Sequence, residues 1–367
     1  MATAAGESLE VLVVGAGPAG LAAALELNRL GRSVRIVDRN AGRTDLSKAL
    51  AVNAKTLELL EPSGLAGRMV AAGIEIHGAA LFFEGEKLVT MRFQGRDLPR
   101  DYLLGLPQDE TERLFEETLA ERGVSVERAT ELVSFEDDGA GVTARLKTPS
   151  GEAEVRAAWL LGADGARSTV REALGLDFAG KRYEEHWSLA DVTLDWPTAA
   201  ENINLYMHRD GHADFFARIK GDRWRLVSTA PGVVGRLPAG ARLIAEHWQS
   251  DFQVALRQVE SYRKGRCCLA GDAAHVHSPA GGRGMNLGIW DSVSFARRLA
   301  AGTLDGYDAE RRPIGRKVLD FTDRLFGMTR LKSPLAQAMR NFVLRHLAPL
   351  PAAQRRFSRN LLGLAEE

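Results

Sequence analysis

The pattern of apolar and polar positions predicts that the chain opens with a strand, a helix and a second strand. Leu9–Val14 is a short, valine-rich run of the kind found in parallel strands that are buried on both faces. Residues 21–30 have helical periodicity, and Val34–Val37 is a second apolar run that ends at Asp38. This order of elements is typical of the first unit of an open α/β sheet.

The pattern of apolar and polar residues changes between residues 178 and 262. Short alternating runs are separated there by connectors rich in glycine and proline, which predicts an antiparallel sheet in a second domain. The predicted strands include 188–194, 202–207, 213–219 and 224–229.

Other elements are predicted on both sides of that region. Residues 82–91 predict a strand pair that turns at Gly85, residues 111–122 an amphipathic helix, and residues 132–146 a β-hairpin. From residue 287 onward the pattern is mainly helical.

Composition narrows the class of protein. The chain has 367 residues, 45% hydrophobic and 26% charged, which is ordinary for a globular protein. Its 48 basic and 48 acidic residues cancel, so nucleic acid is a poor candidate partner. The two cysteines, Cys267 and Cys268, are neighbours in an apolar run, which favours buried strand residues over a disulfide.

The N-terminus predicts neither export nor insertion into a membrane. It lacks the positive flank of a signal peptide. The apolar stretch at residues 11–25 is too short to span a bilayer and is interrupted by glycines. We therefore expect a cytoplasmic protein with no integral membrane association.

A glycine-rich turn joins the first strand to the first helix. It reads Gly15-Ala16-Gly17-Pro18-Ala19-Gly20. Gly15 permits a tight turn, Gly17 lets the backbone approach a pyrophosphate, and Gly20 lets the helix pack closely on the strand. The helix N-terminus favours phosphate, and Asp38 can accept hydrogen bonds from a ribose. The context of strand, helix and acid predicts a dinucleotide site rather than a merely structural turn.

Two later segments have a similar form. Residues 160–165 read as a strand followed by Asp164 and Gly165, with Ser168 as a helix N-cap. Residues 269–286 read as a strand end, then Gly271 and Asp272, then a glycine-rich loop that leads into a helix.

With these three motifs in this order, the chain resembles the single-component (class A) flavin-dependent aromatic hydroxylases, the group typified by para-hydroxybenzoate hydroxylase. The resemblance covers most of the chain and is weakest between about residues 180 and 260. It implies FAD as the cofactor and an α/β fold: a Rossmann-like FAD-binding domain of the glutathione-reductase type, an antiparallel-sheet substrate domain and a helical C-terminus.

The resemblance also assigns roles to residues. Asp272 would bind the ribityl chain, the N–H groups of Gly284, Met285 and Asn286 would face the N1–C2=O edge of the flavin, and Asp164 would lie near the pyrophosphate. The predicted cofactor-binding residues are Gly15, Ala16, Gly17, Pro18, Ala19, Gly20, Asp38, Arg39, Lys48, Gln108, Asp164, Gly271, Asp272, Gly284, Met285 and Asn286. Pro279 would shape the oxygen pocket sterically.

The chain departs from the family's pattern at two places. Lys48 and Lys55 stand where the family usually has arginines, which retains the charge but loses the forked contact with phosphate. Trp290 and Ser292 replace a more usual glutamine and alanine beyond the third motif, and the sequence offers no reason for that change.

The predicted reaction is hydroxylation of a phenolic or polycyclic aromatic molecule with NAD(P)H and O2, through a flavin C4a-hydroperoxide. The cofactor supplies this chemistry, and the protein positions the ring and excludes water. A related epoxidase, Baeyer–Villiger-type oxygenase or reductase, and a non-catalytic FAD-binding protein, remain as alternatives. The sequence leaves open whether the protein is a monomer or a homodimer.

No general base is assigned. His275 and His277 lie in the third motif, where we expect a structural role for His275. The other candidates are Tyr183, His186, Tyr206 and His208. His275 and His277 lack a third ligand at convincing spacing, so we expect no metal.

These expectations divide the chain into domains. Residues 1–177 and 263–315 would form a discontinuous FAD-binding domain with inserted strands at about 76–105. Residues 178–262 would form the substrate domain, and 316–367 a helical C-terminal segment. We expect the helices of this basic tail to cover the core and expose their arginines to water; the alternative is an amphipathic helix pair on a membrane surface.

Overall fold

The computed structural model describes residues 9–43, 49–93, 100–277 and 281–365. The helices are α1 (Pro18–Arg29), α2 (Ala54–Leu60), α3 (Leu65–Ala72), α4 (Gln108–Glu121), α5 (Thr169–Ala173), α6 (Gly284–Ala300), α7 (Tyr307–Thr329), α8 (Pro334–His346) and α9 (Pro351–Leu362). The strands are β1 (Leu9–Val14), β2 (Val34–Val37), β3 (Ala51–Val52), β4 (Ile74–Ile76), β5 (Gly78–Phe83), β6 (Glu86–Arg92), β7 (Leu103–Gly105), β8 (Val126–Glu127), β9 (Glu131–Asp137), β10 (Val142–Thr148), β11 (Gly151–Gly162), β12 (Phe178–Asp195), β13 (Ile203–Met207), β14 (Ala213–Lys220), β15 (Arg223–Ser228), β16 (Arg242–Val259), β17 (Arg263–Lys264), β18 (Cys267–Leu269) and β19 (His275–Val276).

The first sheet brings the carboxyl ends of four parallel strands to one edge. Its strand order is β17-β18-β11-β1-β2-β8, and the β9–β10 hairpin pairs with β11. Val14 lies opposite both Val37 and Gly162, and Gly162 lies opposite Leu269. The segments that follow β1, β2, β11 and β18 therefore leave the sheet side by side, and these are the segments that carry the three motifs and Asp38.

Burial explains why this sheet forms. β1 has the two-sided burial that its valine-rich sequence predicts, with Val11 and Val13 fully enclosed. Helix α1 buries Leu21, Leu25 and Leu27 and packs beside α6. One hydrophobic core thus holds the motif-bearing strands and the two helices that begin in the motifs.

The second sheet has the order β19-β16-β12-β15-β14-β13-β5-β6 and is antiparallel except where β13 pairs with β5. One face carries a core around Trp196, Phe216 and Trp224. Side chains of the other face, including Trp187 and Leu189, pack against α7. The mixed α/β architecture and the helical C-terminus confirm the predicted fold class.

The C-terminal helices behave differently from one another. At the end of α9 and just beyond it, Leu361, Leu362 and Leu364 are buried against the second sheet and its neighbours, as expected for helices that cover the core. Helix α8 contradicts that expectation, because its apolar side chains, such as Leu335 and Phe342, point to solvent. No helix in the described part of the chain is long and apolar enough to cross a membrane.

The docking of α9 leads to a stability prediction. Leu362 is fully buried and Leu335 is 75% exposed. We expect Leu362→Ala to lower the free energy of unfolding by about 2–5 kcal/mol because it leaves a cavity. Leu335→Ala, the matched control, should change it by less than about 0.5 kcal/mol. Urea unfolding of both variants measures the difference, and equal effects would contradict this account of the C-terminus.

Candidate functional site

The first glycine turn is held between three strand ends. Gly15 N donates to Val37 O at 2.8 Å, and Ala163 N donates to Val14 O at 2.8 Å. A Cβ on Gly20 would lie 1.8 Å from the Gly15 carbonyl oxygen, so only glycine allows this approach of helix to strand.

The start of α1 fits a phosphate group. A Cβ on Gly17 would meet nothing within 4 Å, so the backbone there faces open space. No side chain caps the helix, and its first N–H groups have no partner within the helix. Amides with a partial positive charge beside an open cradle are the donors that a pyrophosphate requires.

Asp38 ends β2 beside this turn. Its Oδ2 accepts from Ala16 N at 2.7 Å and its Oδ1 from Asn40 N at 2.8 Å. Arg128, which the sequence did not single out, lies 3.7 Å from Oδ1. Arg39 is exposed next to Asp38. This carboxylate therefore fixes the turn and retains acceptor capacity for a ribose.

Asp164 also lies against the first turn. Its Cα is 2.8 Å from the position that a Cβ on Gly15 would take. Its carboxylate accepts from Ser168 Oγ at 2.5 Å and from Val170 N at 3.2 Å, so it holds its own loop at the start of α5. Burial raises the pKa of Asp164, although the hydrogen bond from Ser168 opposes the shift.

The third motif places Asp272 and the start of α6 at the same edge. Gly271–Ala273 form a single 3-10 turn after β18, and Asp272 is exposed there. Helix α6 begins at Gly284 with no side-chain cap, so its first N–H groups have no partner within the helix. His277 lies beside this end, with Cε1 3.4 Å from the position of a Cβ on Gly284.

The side chain of Asn286 ties the start of α6 to residues 51–56. Its Oδ1 accepts from Asn53 N at 2.9 Å and Thr56 Oγ1 at 2.7 Å. Its Nδ2 donates to Ala51 O at 2.9 Å and to Gly282 O at 2.8 Å. The fully buried amide is thus completely engaged in structure, which leaves only its backbone N–H for a cofactor.

Trp290 and Ser292 now have a structural explanation. Trp290 Nε1 donates to Thr56 Oγ1 at 2.8 Å and so extends the network around Asn286. Ser292 Oγ donates to Gly288 O at 3.0 Å within α6. The tryptophan therefore replaces the family's usual residue without leaving its polar atom unpaired.

Asp291, His275 and Arg311 form a buried triad of side chains that supports the loop of the third motif. Asp291 accepts from Gly271 N at 3.1 Å, pairs with His275 Nε2 at 2.6 Å and accepts from Arg311 Nε at 2.8 Å. Burial alone would raise the pKa of Asp291, but His275 and Arg311 bring it below its usual value. His275 is 1% exposed and held by this carboxylate, in agreement with a structural role.

Gln108 and Arg225 meet at Ala49, where the two sheets approach each other. Ala49 O accepts from Gln108 N at 3.0 Å and from Arg225 Nη1 at 3.2 Å. Arg225 also forms a bidentate pair with Asp191, with N···O distances of 2.8 and 2.7 Å. The sequence analysis missed this pair, although Asp191 and Arg225 are the only charged residues in the predicted strands 188–194 and 224–229, which was a usable signal.

The remaining candidates take different positions. Tyr183 hydrogen-bonds Asp323 on α7, Tyr206 stacks on Phe82, and His208 pairs with Asp214. His186 lies near Gln253 of the neighbouring strand. Each of these side chains is engaged within or beside the second sheet, and none is assigned as a base.

Two predicted residues, Lys48 and Pro279, lie outside the described residues. A Cβ on Gly281 would lie 3.5 Å from Leu325 of α7 and 3.4 Å from Leu361 of α9. The described residues contain no cluster of three or more His, Cys, Asp or Glu that could hold a metal ion.

Comparisons with known proteins agree with this geometry. The model of the FAD binding domain family matches residues 8–231 and 241–322. The chain is 35% identical to 6-methylpretetramide 4-monooxygenase of Streptomyces rimosus, over 96% of this chain and 68% of that protein. It is 31% identical to pentachlorophenol 4-monooxygenase of Sphingobium chlorophenolicum, over 85% of this chain and 63% of that one.

Solved structures show the same likeness. The anhydrotetracycline hydroxylase of Streptomyces rimosus superposes with a TM-score of 0.82 at 32% identity, covering 98% of this chain and 76% of that chain. The p-nitrophenol 4-monooxygenase of Pseudomonas putida DLL-E4 superposes with a TM-score of 0.88 at 25% identity, covering 98% of both chains.

The chain therefore belongs to the FAD binding domain family, within its FAD-dependent aromatic monooxygenases. Membership of this family confirms the prediction of an FAD-dependent aromatic hydroxylase. It also confirms the predictions of FAD as cofactor and of NAD(P)H as cosubstrate.

Glu112 on α4 gives the site a pH-dependent component. It is 3% exposed and its Oε1 accepts from Gln108 Nε2 at 2.9 Å. Burial raises the pKa of Glu112 from 4.5 to about 7, against the opposing hydrogen bond from Gln108. The folded state therefore binds this proton more tightly than the unfolded state, and stability falls as pH rises from about 4.5 through 7.

Glu112→Gln should remove that loss, because glutamine keeps the acceptor for Gln108 without a charge. Chemical unfolding at pH 5 should show little difference from the parent protein. At pH 8 the variant should be more stable, by up to about 3 kcal/mol. Glu152→Gln, at the exposed start of β11, is the control and should leave the pH dependence unchanged. An identical pH dependence in the parent and Glu112→Gln would refute the assignment.

Proposed function

We propose that this chain hydroxylates a phenolic or polycyclic aromatic molecule at a site between the start of α6 and the second sheet. The observation that carries the proposal is the row of strand ends, which sets the first glycine turn beside Gly271 and Asp272, with Gly288 of α6 packed against Gly271 and Ala19. In balanced form, the aromatic substrate, O2, NAD(P)H and a proton would give the hydroxylated product, water and NAD(P)+.

The residues present fit FAD along this row. We propose that the N–H groups of Gly17, Ala19 and Gly20 in the first glycine turn bind the pyrophosphate and that Asp38 binds the adenosine ribose. Asp272 would accept from the ribityl hydroxyls, and the N–H groups of Gly284, Met285 and Asn286 would stabilise negative charge at the N1–C2=O edge. FAD, when bound and reduced, supplies the electrons that activate O2.

We propose that the substrate binds beside the apolar cluster between the second sheet and α7. Trp187, Leu189 and Val227 are buried in that cluster, where Phe326 of α7 lies 4.9 Å from Trp187 between ring centroids. A packed apolar boundary of this kind would exclude water from the proposed site. Two of the relatives are named for the oxygenation of 6-methylpretetramide and of pentachlorophenol, which supports an aromatic substrate here.

We also propose a cytoplasmic location and a division of the chain into domains. Ordinary composition and two buried, unpaired cysteines support a cytoplasmic location. The domain division at residues 177/178 and 262/263 follows the change from the first sheet to the second along the chain, while β5 and β6 pair with the second sheet. A monomer and a homodimer are both compatible with the contacts described.

Asp272 provides a test of the cofactor assignment. Asp272→Ala removes a charge-assisted hydrogen bond worth about 1.5–3 kcal/mol, so we expect FAD affinity to fall by roughly 10- to 150-fold. Quenching of FAD fluorescence on titration with apoprotein measures the affinity. Glu152→Ala is the matched control because it removes an exposed carboxylate at the opposite end of β11. An unchanged affinity for Asp272→Ala would show that another group binds the ribityl chain.

Activity separates the proposal from its alternatives. The FAD-loaded protein is incubated with NADH or NADPH and with a panel of substituted phenols and polycyclic phenols. We expect at least one of them to accelerate NAD(P)H oxidation and to gain one atom of 18O from 18O2 in a new hydroxyl group. An epoxide or ester product would assign the alternative oxygenases, and bound FAD without stimulated oxidation across the panel would assign a non-catalytic binder.

A further inference from the structure

Helix α8 has its polar side inward and its apolar side outward. Inside, Gln337 Nε2 donates to Arg209 O at 2.9 Å and Arg340 Nη1 donates to Met328 O at 3.0 Å. Outside, Leu335, Met339 and Phe342 are 75%, 63% and 58% exposed. A surface helix normally has the opposite arrangement, so this outer face is built to be covered.

The exposed residues form one continuous stripe, which we call the α8 surface. It consists of Leu335, Met339, Phe342, Val343, Leu347 and Leu350. The first three follow the i, i+4, i+7 spacing of one helix face. An apolar groove of about 470 Å³ lies along the same helix, where Met328 and Leu331 from the end of α7 complete its wall.

Charge identifies what covers this surface. Residues 324–365 contain eight arginines and lysines and no aspartate or glutamate, although the chain as a whole is neutral. The rest of the chain therefore carries a net charge of −8. Lys332 is exposed just before α8, Arg355 and Arg356 are exposed on α9, and Arg345 is exposed beside Glu86. An apolar stripe in a purely basic segment is complementary to an anionic, partly apolar surface.

A second copy of the chain fits this surface less well. Antiparallel pairing of two α8 helices would bring Lys332 of one copy towards Arg345 of the other, so like charges would meet. In addition, a helix of 13 residues is only about 20 Å long. One face of that length falls short of the roughly 800 Å² per partner of a stable interface.

We propose that the α8 surface docks this protein on an anionic lipid membrane, with the helix lying in the interface plane. The apolar stripe enters the boundary between headgroups and acyl chains, and the basic residues contact lipid phosphates. This inference concerns the location of the protein on a surface and does not depend on the proposed reaction.

Vesicle flotation tests the docking. The FAD-loaded full chain is mixed with vesicles of phosphatidylcholine alone or of equal parts phosphatidylcholine and phosphatidylglycerol. We expect flotation with the anionic vesicles and its loss in 1 M salt, where screening is strong. The triple variant Leu335→Ser, Met339→Ser, Phe342→Ser should bind at least ~10-fold more weakly, since it removes three apolar contacts.

A matched variant controls for non-specific binding of exposed apolar residues to the vesicles. Val133→Ser alters another exposed apolar residue, 57% exposed on β9, and should float like the parent protein. Circular dichroism and FAD content show whether the triple variant is folded. If the parent protein fails to float with anionic vesicles, or if the folded triple variant floats equally well, the proposal is wrong.

A fluorescent label distinguishes lipid from a second copy. Cys267 and Cys268 are buried, and burial raises the pKa of both thiols, so a cysteine introduced at the surface can be labelled selectively. An environment-sensitive dye on Phe342→Cys should brighten and shift to the blue only with anionic vesicles, while Val133→Cys should not respond. A shift that depends on protein concentration without lipid, with a dimer in sedimentation equilibrium, would overturn the proposal in favour of self-association.

Discussion

The arrangement of the site depends on the hydrogen bonds that the side-chain amide of Asn286 forms. A helix N-terminus can serve a cofactor only if nearby side chains do not cap it, yet every other buried polar group around it must be paired. Asn286 meets both demands, because it turns its side chain away to residues 51–56 and leaves its backbone N–H at the helix start. Trp290 and the Asp291 triad extend the same pairing to the next turn of α6.

The same pairing continues across the gap between the sheets. The Arg225–Asp191 pair is buried, so its desolvation is offset only by close bidentate geometry and by the further hydrogen bond to Ala49 O. The backbone N–H of Gln108, at the start of α4, donates to the same carbonyl. Polar contacts, as well as apolar packing, therefore fix the position of the second sheet relative to the cofactor motifs. Hydrogen bonds tolerate a shift in distance less well than apolar packing does.

How far the sequence predicted this structure follows from the range of the interactions involved. β1 and β2 have the bounds that their apolar runs predict, and the motifs emerge at one edge because parallel strands end together. The long strand β16 was not predicted, because exposed residues interrupt its pattern and pairing with β12 supports it. Asn53, Thr56, Glu112 and Arg225 also escaped notice, because each acquires its role from a partner at least four residues away or on another element.

The C-terminal helices connect the cofactor loop with the α8 surface. Arg283, at the start of α6, hydrogen-bonds Asn360 O of α9, and a Cβ on Gly363 would lie 2.5 Å from Trp290. The short segment after α8 leads directly into α9, so the helix proposed to lie on lipid is joined to the packing around α6. This packing does not by itself couple the α8 surface to the cofactor loop, because coupling needs an element that can adopt two arrangements. It does fix orientation: a chain docked through the α8 surface would hold the start of α6 at a constant height above the membrane.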